Sequence, residues 1–512
     1  MVNAKAVSSR QAHKLKLLVV ATEASPFASI GGAAQVVSHL SKSLDELGLD
    51  VAVFIPKFGF IPEEKYEIQM CCEGLKVPTG DETVPYLICN VKEAKFPSSG
   101  VRVFFLENQE YYEKRANVYG YNDDPTRWAL LSRGVLEFIK KCNFVPDVIH
   151  CNDWHTGLIP NLIKTVYKKD PIVSKIATVF TIHNLAYQGM FDHRHVSEMN
   201  FDDGKSDIVS FFDPRLTHQN FMKRGILYAD VVNTVSKTYS KEILTAELGE
   251  GLDKLLLELK GKLFGIINGI DYEEMNPKTD KLIAKNYDID SLELRQINKQ
   301  SLQQEYDLPV EKDTFLLGFV GRLDGMKGVD LLIRTLRYAL RDYPIQFVQV
   351  GGGDGGLVEQ LTKLKTDFPT KVGIHTFPNF SLPHLLFAGC DALVYPSRFE
   401  PCGIVQLEAM RYGAIPIVRK VGGLADTVQD FNSGTGEGTG FVFSSFDEYA
   451  LYGQLIRAYE NYKNKPVWNT VQKNAMRADY SWDFSATEYV KLYKTAIDFK
   501  SSLNPKYRTF EI

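Results

Sequence analysis

Short runs of almost wholly apolar, β-branched residues alternate with amphipathic helical patterns along nearly the whole chain. The first such run is LKLLVVA, residues 15–21, and a helical pattern follows in which Val37, Leu40 and Leu44 share one face. Strands that are apolar on both faces are typical of parallel sheets covered by helices on both sides. The alternation therefore predicts an α/β fold.

The strand-like runs form two series separated by a gap. The first comprises residues 15–21, 50–56, 101–106, 147–151, 176–182 and 230–235, and the second comprises 314–320, 345–350, 372–377, 391–396, 414–420 and 440–443. The alternation loosens between Ile243 and Glu311, and 512 residues are too many for one ordinary core. We predict two doubly wound, Rossmann-like domains, residues 1–265 and 266–484, followed by a C-terminal segment, residues 485–512.

Composition narrows the class of partner and compartment. The chain is 44% hydrophobic and 24% charged with a net charge of −4, which gives no footprint for nucleic acid or an anionic membrane. A neutral polymer such as a glucan would leave no trace in net charge. The seven scattered cysteines, with no Cys-x-x-Cys, favour a reducing compartment over a disulfide framework or structural zinc. No apolar run approaches membrane-spanning length, and the basic opening is interpreted as a tail, with a targeting peptide as the alternative. We predict a cytoplasmic protein, or a plastid one.

Ligands of doubly wound sheets bind at the loops that follow the strands. One such loop, GRLDGMKG at residues 321–328, places Arg322 and Lys327 between a strand and a helix. Two cations near free helix N–H groups suit a diphosphate. The alternative is that the two cations pair with Asp324 and Asp330 on the surface.

A second loop, within YPSRFEPCGIVQLEAMRYG at residues 395–413, holds a Pro-Cys-Gly turn. The glycine lets the backbone approach a ligand closely, and the amides of Gly403 and Ile404, next to Cys402, would point at an anion. Glu400 precedes the helix, whereas Glu408 lies about 7.5 Å further along the helix axis than the glycine. Two acids so spaced suit hydroxyls on two parts of one ligand. The alternative for Glu408 is a surface pair with Arg411.

Three loops of the first half also carry candidates. Gly31 and Gly32 follow the first strand, although a tight turn explains them equally well. Asp153 follows the strand DVIHC, and His183 with Asn184 follows IATVFTI. A lone histidine is more often structural than catalytic, and no spacing matches a metal site. We therefore predict no metal.

Taken together these loops resemble the glycogen and starch synthases, retaining glycosyltransferases of the GT-B architecture. The resemblance spans nearly the whole chain and is most specific in five blocks: TIHNLAYQGMF, GIINGIDYEEMNPKTD, GRLDGMKGVDLL, PSRFEPCGIVQLEAMRYG and GGLADTV. It implies two Rossmann-like domains facing an interdomain cleft, with a C-terminal helix crossing back to the first domain. It also implies transfer of glucose from a nucleotide-diphosphate glucose to the 4-hydroxyl at the non-reducing end of an α-1,4-glucan, without a metal or other cofactor.

The resemblance also implies roles for single residues. Arg322 and Lys327 would hold the diphosphate with the amides of the Cys402–Gly403–Ile404 turn, while Glu400 grips the transferred glucose. His183 would contact the 6-hydroxyl of that glucose, with Asn184 beside it. The remaining predicted positions are Gly31 and Gly32 at the donor, Asn268 and Asp153 lining the cleft, and Glu408 at the ribose. The partners are a nucleotide sugar and a glucan, with no nucleic acid and no membrane.

Four positions depart from the pattern of the family. Ser29 replaces a lysine that would meet the donor, Gln35 replaces an aspartate, and Asn152 replaces a frequent histidine. Glu408 stands where the synthases commonly have Tyr or Gln. ADP-glucose is the favoured donor, with UDP-glucose close behind. The alternatives are a GT-B transferase with another donor or acceptor, and a glucan-binding protein whose donor site has decayed.

Overall fold

The computed structural model describes residues 14–97, 99–189, 202–377 and 379–502. The chain divides into two compact units. Unit 1 holds the residues up to Asn233, Leu255–Leu263 and those from Ala486 on, and unit 2 holds Thr234–Lys254 and Phe264–Ser485. The chain first passes from unit 1 to unit 2 after Asn233 and returns to unit 1 at Leu255–Leu263. The domain boundary predicted between residues 265 and 266 lies after both passages, and it stays a prediction.

The larger sheet has nine strands in the order β3-β4-β5-β2-β1-β6-β7-β8-β9. Strand β1 pairs in parallel with β2 and β6, β2 with β5, and β6 with β7. The strands are β1 Lys16–Val20, β2 Asp50–Pro56, β3 Gln69–Pro78, β4 Tyr86–Lys95, β5 Arg102–Glu107, β6 Val148–Asn152, β7 Ala177–Ile182, β8 Val231–Thr234 and β9 Leu263–Gly265.

The antiparallel hairpin of β3 and β4 is absent from the sequence prediction. It lies at one edge of the sheet, and most of β3 is exposed, so its sequence QMCCEGLKVP has no continuous apolar run. Gly74, with a positive φ of 65°, lies within the second of two register shifts, between Cys72 and Leu75. An edge strand that buries little surface carries little of the pattern that identified the central strands.

The helices of the first half are α1 Gly32–Glu46, α2 Asp124–Lys141, α3 Leu158–Lys164, α4 Phe221–Tyr228, α5 Tyr239–Glu242 and α6 Asp253–Glu258. The last helix, α15 Trp482–Ser502, lies in the C-terminal segment for which the family resemblance implied a helix. From Ala486 on it belongs to unit 1. There Tyr493 lies 3.0 Å from Nδ1 of His150, and Tyr489 accepts a hydrogen bond from Asn233 at 3.2 Å.

The sheet of unit 2 has six parallel strands in the order β12-β11-β10-β13-β14-β15. These are β10 Phe315–Val320, β11 Ile345–Val350, β12 Val372–His375, β13 Ala392–Tyr395, β14 Ile415–Arg419 and β15 Phe441–Phe443. Its helices are α7 Arg295–Glu305, α8 Val329–Asp342, α9 Gly355–Asp367, α10 Leu382–Gly389, α11 Val405–Arg411, α12 Gly422–Thr427, α13 Glu448–Lys463 and α14 Lys465–Arg477. All six predicted strands of this half are present.

Helix α8 shows how the pattern of the sequence positions the site. Leu332, Leu336 and Leu340 recur every four residues and are buried against the sheet. Gly328 begins the helix in the left-handed conformation, with φ 67°. The loop before it is thereby held at the carboxyl end of β10, on the same edge as the loops after β12 and β13. Among the described helices none is long and apolar enough to span a membrane.

Candidate active site

The loops after β10 and β13 are locked together in unit 2. The amide of Arg398 donates to the carbonyl of Met326 at 2.8 Å. A Cβ at Gly328 would lie only 2.1 Å from the carbonyl oxygen of Pro396, so the close approach requires glycine. The two loops that carry the predicted phosphate and sugar residues therefore form one structural element.

An ion pair joins the predicted site residues of these loops. Lys327 Nζ lies 2.6 Å from Oε2 of Glu400, and Ser397 Oγ donates to the same oxygen at 3.2 Å. Glu400 is 7% exposed, whereas the side chain of Lys327 is 25% exposed. The buried carboxylate thus has its counter-charge, and the ammonium still reaches solvent.

The surface-pairing alternative holds in part for Arg322. Its guanidinium is 68% exposed and lies 3.5 Å from Asp324, a contact too open to hold it firmly. Asp330, the other suggested partner, instead binds Arg398 through two 2.8 Å hydrogen bonds, which lower the pKa of Asp330. Arg322 is therefore placed to meet an anionic ligand at this edge.

The Pro-Cys-Gly turn presents backbone donors. Gly403 has a φ of 70°, and within the described chain neither its amide nor that of Ile404 has a hydrogen-bond acceptor. Cys402 is buried, burial raises the pKa of its thiol to about 12, and the backbone of Asn268 hydrogen-bonds to it. The structure thus places the backbone of Asn268 against the turn.

The two glycines that begin GGLADTV, Gly422 and Gly423, pack against the backbone of the same turn. A Cβ at Gly422 would lie 1.8 Å from the carbonyl oxygen of Glu400, and one at Gly423 would lie 1.8 Å from that of Cys402. The amide of Gly423 also donates to the carbonyl of Glu400 at 3.2 Å. Only residues without a side chain allow α12 to reach the turn this closely.

Glu408 does not form the surface pair with Arg411. The guanidinium of Arg411 instead stacks 4.3 Å from the ring of Tyr272 and donates to the carbonyl of Met275 at 3.2 Å. Burial, followed by the charge of Glu274, raises the pKa of Glu408 to about 7. The second acid of the motif is a half-buried carboxyl poised to titrate near neutral pH.

In unit 1, the loops after β6 and β7 are joined in the same manner. Asp153 Oδ1 accepts from the amide of His183 at 2.8 Å, and its own amide donates to the carbonyl of Thr181 at 2.9 Å. Asp153 has φ 57° and ψ 178°, a conformation that costs about 1–3 kcal/mol in a residue other than glycine. Asn184 caps its own turn by accepting from Ala186 at 3.0 Å. Such strain is typical of functional sites.

The Gly-Gly loop binds a carboxylate of the chain itself. Oε2 of Glu23 accepts from the amides of Ile30 at 2.6 Å and Gly31 at 3.2 Å, and Tyr119 donates to Oε1 at 3.1 Å. Burial raises the pKa of Glu23, against the effect of these hydrogen bonds. Gly32 begins α1. The loop is predicted to serve the donor, yet the amide of Gly31 is occupied by Glu23.

Comparison with known proteins decides the family. Residues 16–258 match the family described as the starch synthase catalytic domain, and residues 301–474 match glycosyl transferases group 1. The glycogen synthase of Thermotoga petrophila is 41% identical to this chain, and the match covers 94% of this chain and 99% of the relative. That of Caldicellulosiruptor saccharolyticus is 43% identical over the same shares of both chains. The chain belongs to the glycogen and starch synthase family.

A solved synthase structure agrees. The catalytic domain of starch synthase IV from Arabidopsis thaliana, solved bound to ADP and acarbose, has a TM-score of 0.82 at 30% identity. The match covers 95% of this chain and all of that one. Sucrose-phosphate synthase from Thermosynechococcus elongatus, at 18% identity and a TM-score of 0.58, shares the fold. The predicted α/β fold with two Rossmann-like domains of GT-B type is confirmed, and the protein is a glycosyltransferase.

Sequence reasoning missed a cluster of aromatic residues beside Asp153. Trp154 and His155 stack with ring centroids 4.1 Å apart, and Trp128 and Tyr119 lie 5.2 and 5.1 Å from the same imidazole. Burial, then the charge of Arg127, lowers the pKa of His155 to about 3, so that ring is neutral. Trp154 and His155 follow Asp153 in the chain, but nothing local in the sequence links them to α2, which carries Trp128.

Two phenyl rings on the loop after β12 were also missed. Phe380 is 93% exposed and Phe377 is 73% exposed. The loop follows a strand of the same parallel sheet as Arg322 and Lys327, so it lies at the same edge. The apolar run at residues 372–377 predicts a strand that includes Phe377, whereas β12 stops at His375 and leaves the ring of Phe377 exposed.

Proposed function

We propose that this synthase transfers glucose from ADP-glucose to the 4-hydroxyl at the non-reducing end of an α-1,4-glucan, with retention of configuration. The observation that carries the proposal is the Lys327–Glu400 ion pair. On the same edge lie the exposed guanidinium of Arg322 and the amides of Gly403 and Ile404, which have no acceptor among the described residues. Cations and amides suit the diphosphate, and a buried, oriented carboxylate suits sugar hydroxyls.

In this proposal the leaving diphosphate is stabilised by charge. As the glucosyl bond breaks, negative charge grows on the phosphate oxygens, and a guanidinium, an ammonium and fixed N–H dipoles offset it. Lys327 already stands in position because Glu400 holds it, so little reorganisation accompanies the reaction. The proposal includes no metal ion, and chelation with EDTA should leave the rate unchanged.

The other candidate residues are proposed to contact the nucleoside from unit 2 and the sugars from unit 1. The exposed phenyls Phe377 and Phe380 offer a stacking surface for the nucleoside, and Glu408 a hydroxyl partner for the ribose. In unit 1, His183 would meet the transferred glucose, and the rings of Trp154 and Tyr119 would border the glucan. ADP is bound in the starch synthase IV structure, which favours ADP-glucose as donor.

A donor screen tests the proposal. The protein is incubated with glycogen and either ADP-glucose or UDP-glucose, and nucleotide release is assayed, with a glycogen synthase relative as positive control. Turnover with ADP-glucose above UDP-glucose is expected. Turnover with neither donor, while the relative is active, would refute the proposal.

A different donor or acceptor remains the second candidate. The observation that favours it is the Gly-Gly loop, where Ser29 carries no charge and Glu23 occupies the amides of Ile30 and Gly31. Turnover confined to another nucleotide sugar, or to an acceptor other than a glucan, would establish it.

A further inference from the structure

The side chain of Asn152 has one orientation that satisfies its neighbours. It is the last residue of β6 and 6% exposed, and its Nδ2 donates to the carbonyls of Val20 at 3.1 Å and His150 at 3.4 Å. Because two carbonyl oxygens surround the nitrogen, the amide oxygen must point the other way. That oxygen, Oδ1, lies 2.9 Å from Nε2 of His183.

This contact determines which nitrogen of His183 carries the proton. An amide oxygen only accepts hydrogen bonds, so Nε2 must be the donor. In the neutral ring Nδ1 then holds a lone pair and accepts. No residue in the described part of the chain hydrogen-bonds to Nδ1 of His183. The backbone of the histidine is fixed by Asp153 at 2.8 Å, so the ring is held from two sides.

We infer that Asn152 is a positioning residue that fixes which ring nitrogen of His183 carries the proton. It thereby sets the polarity of His183, that is, whether the ring donates a hydrogen bond to the transferred sugar or accepts one from it. Asn152 holds the proton on Nε2, and Nδ1 accepts a hydrogen bond from a sugar hydroxyl. The inference rests on the proposed function, in which His183 meets the 6-hydroxyl of glucose.

The polarity determines which sugars the site distinguishes. A sugar whose 6-substituent donates a hydrogen bond satisfies Nδ1, whereas one that cannot donate leaves Nδ1 without a partner. The 6-amino-6-deoxy analogue of the nucleotide glucose donates, and the 6-deoxy-6-fluoro analogue does not. If His183 instead donated from Nδ1, the amino analogue would be the worse substrate.

The first test needs no substrate. Nitrogen-15 chemical shifts of the histidine rings are recorded on the whole protein at pH 8, and the His183 signals are assigned by their loss in His183→Gln. A ring protonated on Nε2 alone is expected. Protonation on Nδ1, or on both nitrogens, would overturn the inference whether or not the proposed function holds.

The second test compares the two analogues with the unmodified donor. We expect the fluoro analogue to lose about 3- to 10-fold in kcat/KM, the range of one neutral hydrogen bond, and the amino analogue to lose less. Equal losses, or a greater loss for the amino analogue, would contradict the assigned polarity. Failure of the unmodified donor would instead count against the proposed function, and the ring-nitrogen test would still decide the inference.

A pair of variants separates positioning from general packing. Asn152→Leu keeps the size of the side chain but removes the acceptor, so the His183 ring should populate both tautomers and the preference for the amino analogue should shrink. Thr156→Val is the control, because Thr156 also donates within this loop, to the carbonyl of Asn152 at 3.0 Å, without touching His183. It should leave the tautomer and the preference unchanged. Should Asn152→Leu fail to fold, the two wild-type tests remain decisive.

Discussion

Lys327 Nζ lies 2.6 Å from Oε2 of Glu400, and this contact joins the loop after β10 to the loop after β13. Glu400 is buried, so the ammonium is its counter-charge as well as the group proposed to meet the phosphates. The proposed phosphate and sugar contacts are therefore coupled through one ion pair. Removing either member leaves a charge without its partner.

Lys327→Ala should abolish most turnover while the chain still folds. Losing one charge-assisted contact to the leaving diphosphate is worth about 1.5–3 kcal/mol, or one to two decades in rate. The free energy of unfolding should also fall by about 1–3 kcal/mol, because Glu400 is left buried and unpaired. Nucleotide release and urea denaturation measure the two effects.

A double variant and a surface variant serve as controls. Lys327→Ala with Glu400→Gln should recover most of the lost stability but none of the activity. Arg334→Ala, which breaks an exposed pair with Glu448, should change unfolding by less than about 1 kcal/mol and leave the rate intact. Unchanged turnover in Lys327→Ala would remove the phosphate role, and outright unfolding would make the lysine structural.

Glu408 should make stability depend on pH in a defined direction. Its pKa is raised to about 7 in the folded chain by burial and then by Glu274, from an ordinary 4.5. A carboxyl with a raised folded pKa stabilises the fold fully below its unfolded pKa, and that contribution is lost as pH rises toward 7. Relative to wild type, Glu408→Gln should therefore gain on the order of 1–3 kcal/mol between pH 4.5 and pH 8.

Urea denaturation at pH 5 and pH 8 checks this prediction. The matched change Glu359→Gln, on the exposed surface of α9, should differ from wild type by less than about 0.5 kcal/mol at both pH values. A difference between Glu408→Gln and wild type that is flat with pH, or that falls as pH rises, would contradict the burial of this carboxyl.

Ser29→Lys should raise the rate if the donor meets the Gly-Gly loop. The new ammonium would restore a cation beside the amides of Ile30 and Gly31, which now serve Glu23. A gain of about 10- to 100-fold in kcat/KM for the nucleotide sugar matches one charge-assisted contact. Ser29→Gln adds length without charge and should leave the rate as it is. An unchanged or lower rate in the lysine variant would show that this loop is built for another contact.

Gly422→Ala should destabilise the fold and slow the reaction together. Its φ is 42°, and the added Cβ would lie 1.8 Å from the carbonyl oxygen of Glu400, so the turn holding Glu400 must shift. We expect about 2–4 kcal/mol in unfolding free energy, from strain and overpacking combined. Gly453→Ala in α13 meets nothing within 4 Å and should stabilise by about 0.5–1 kcal/mol. Thermal melting of both variants tests the two predictions, and a melting temperature unchanged in Gly422→Ala would disprove the close approach of Gly422 to the carbonyl of Glu400.

Phe380→Ser should weaken nucleotide binding without changing stability. The ring is 93% exposed, so its removal leaves no cavity, but it lies on the edge proposed to bind the nucleoside. Loss of one stacking contact predicts a KM for the nucleotide sugar higher by about 5- to 100-fold. Tyr449→Ser removes a ring that is 85% exposed at the start of α13 and should change neither quantity. Equal KM values in both variants would exclude Phe380 from the site.

Much of the site could be predicted from sequence because it lies on loops after strongly patterned strands. Arg322 and Lys327 follow β10, and Glu400 follows β13, where the residues of a doubly wound sheet meet their ligands. What pattern could not supply is the partner of each group. The sequence offered Asp324 and Asp330, neighbours in the chain, as the alternative partners of Lys327, and its ammonium instead binds a carboxylate 73 positions away.

The alternation of apolar strands and amphipathic helices was enough to determine two α/β units, because each element is specified by residues close together in the chain. Tertiary structure alone decided that Glu23 fills the amides of the Gly-Gly loop and that Asn152 faces His183. Hydrogen bonds and ion pairs of this kind depend on which strands become neighbours in the sheet. A local pattern of apolar residues does not specify which residues from distant parts of the chain come within hydrogen-bonding distance.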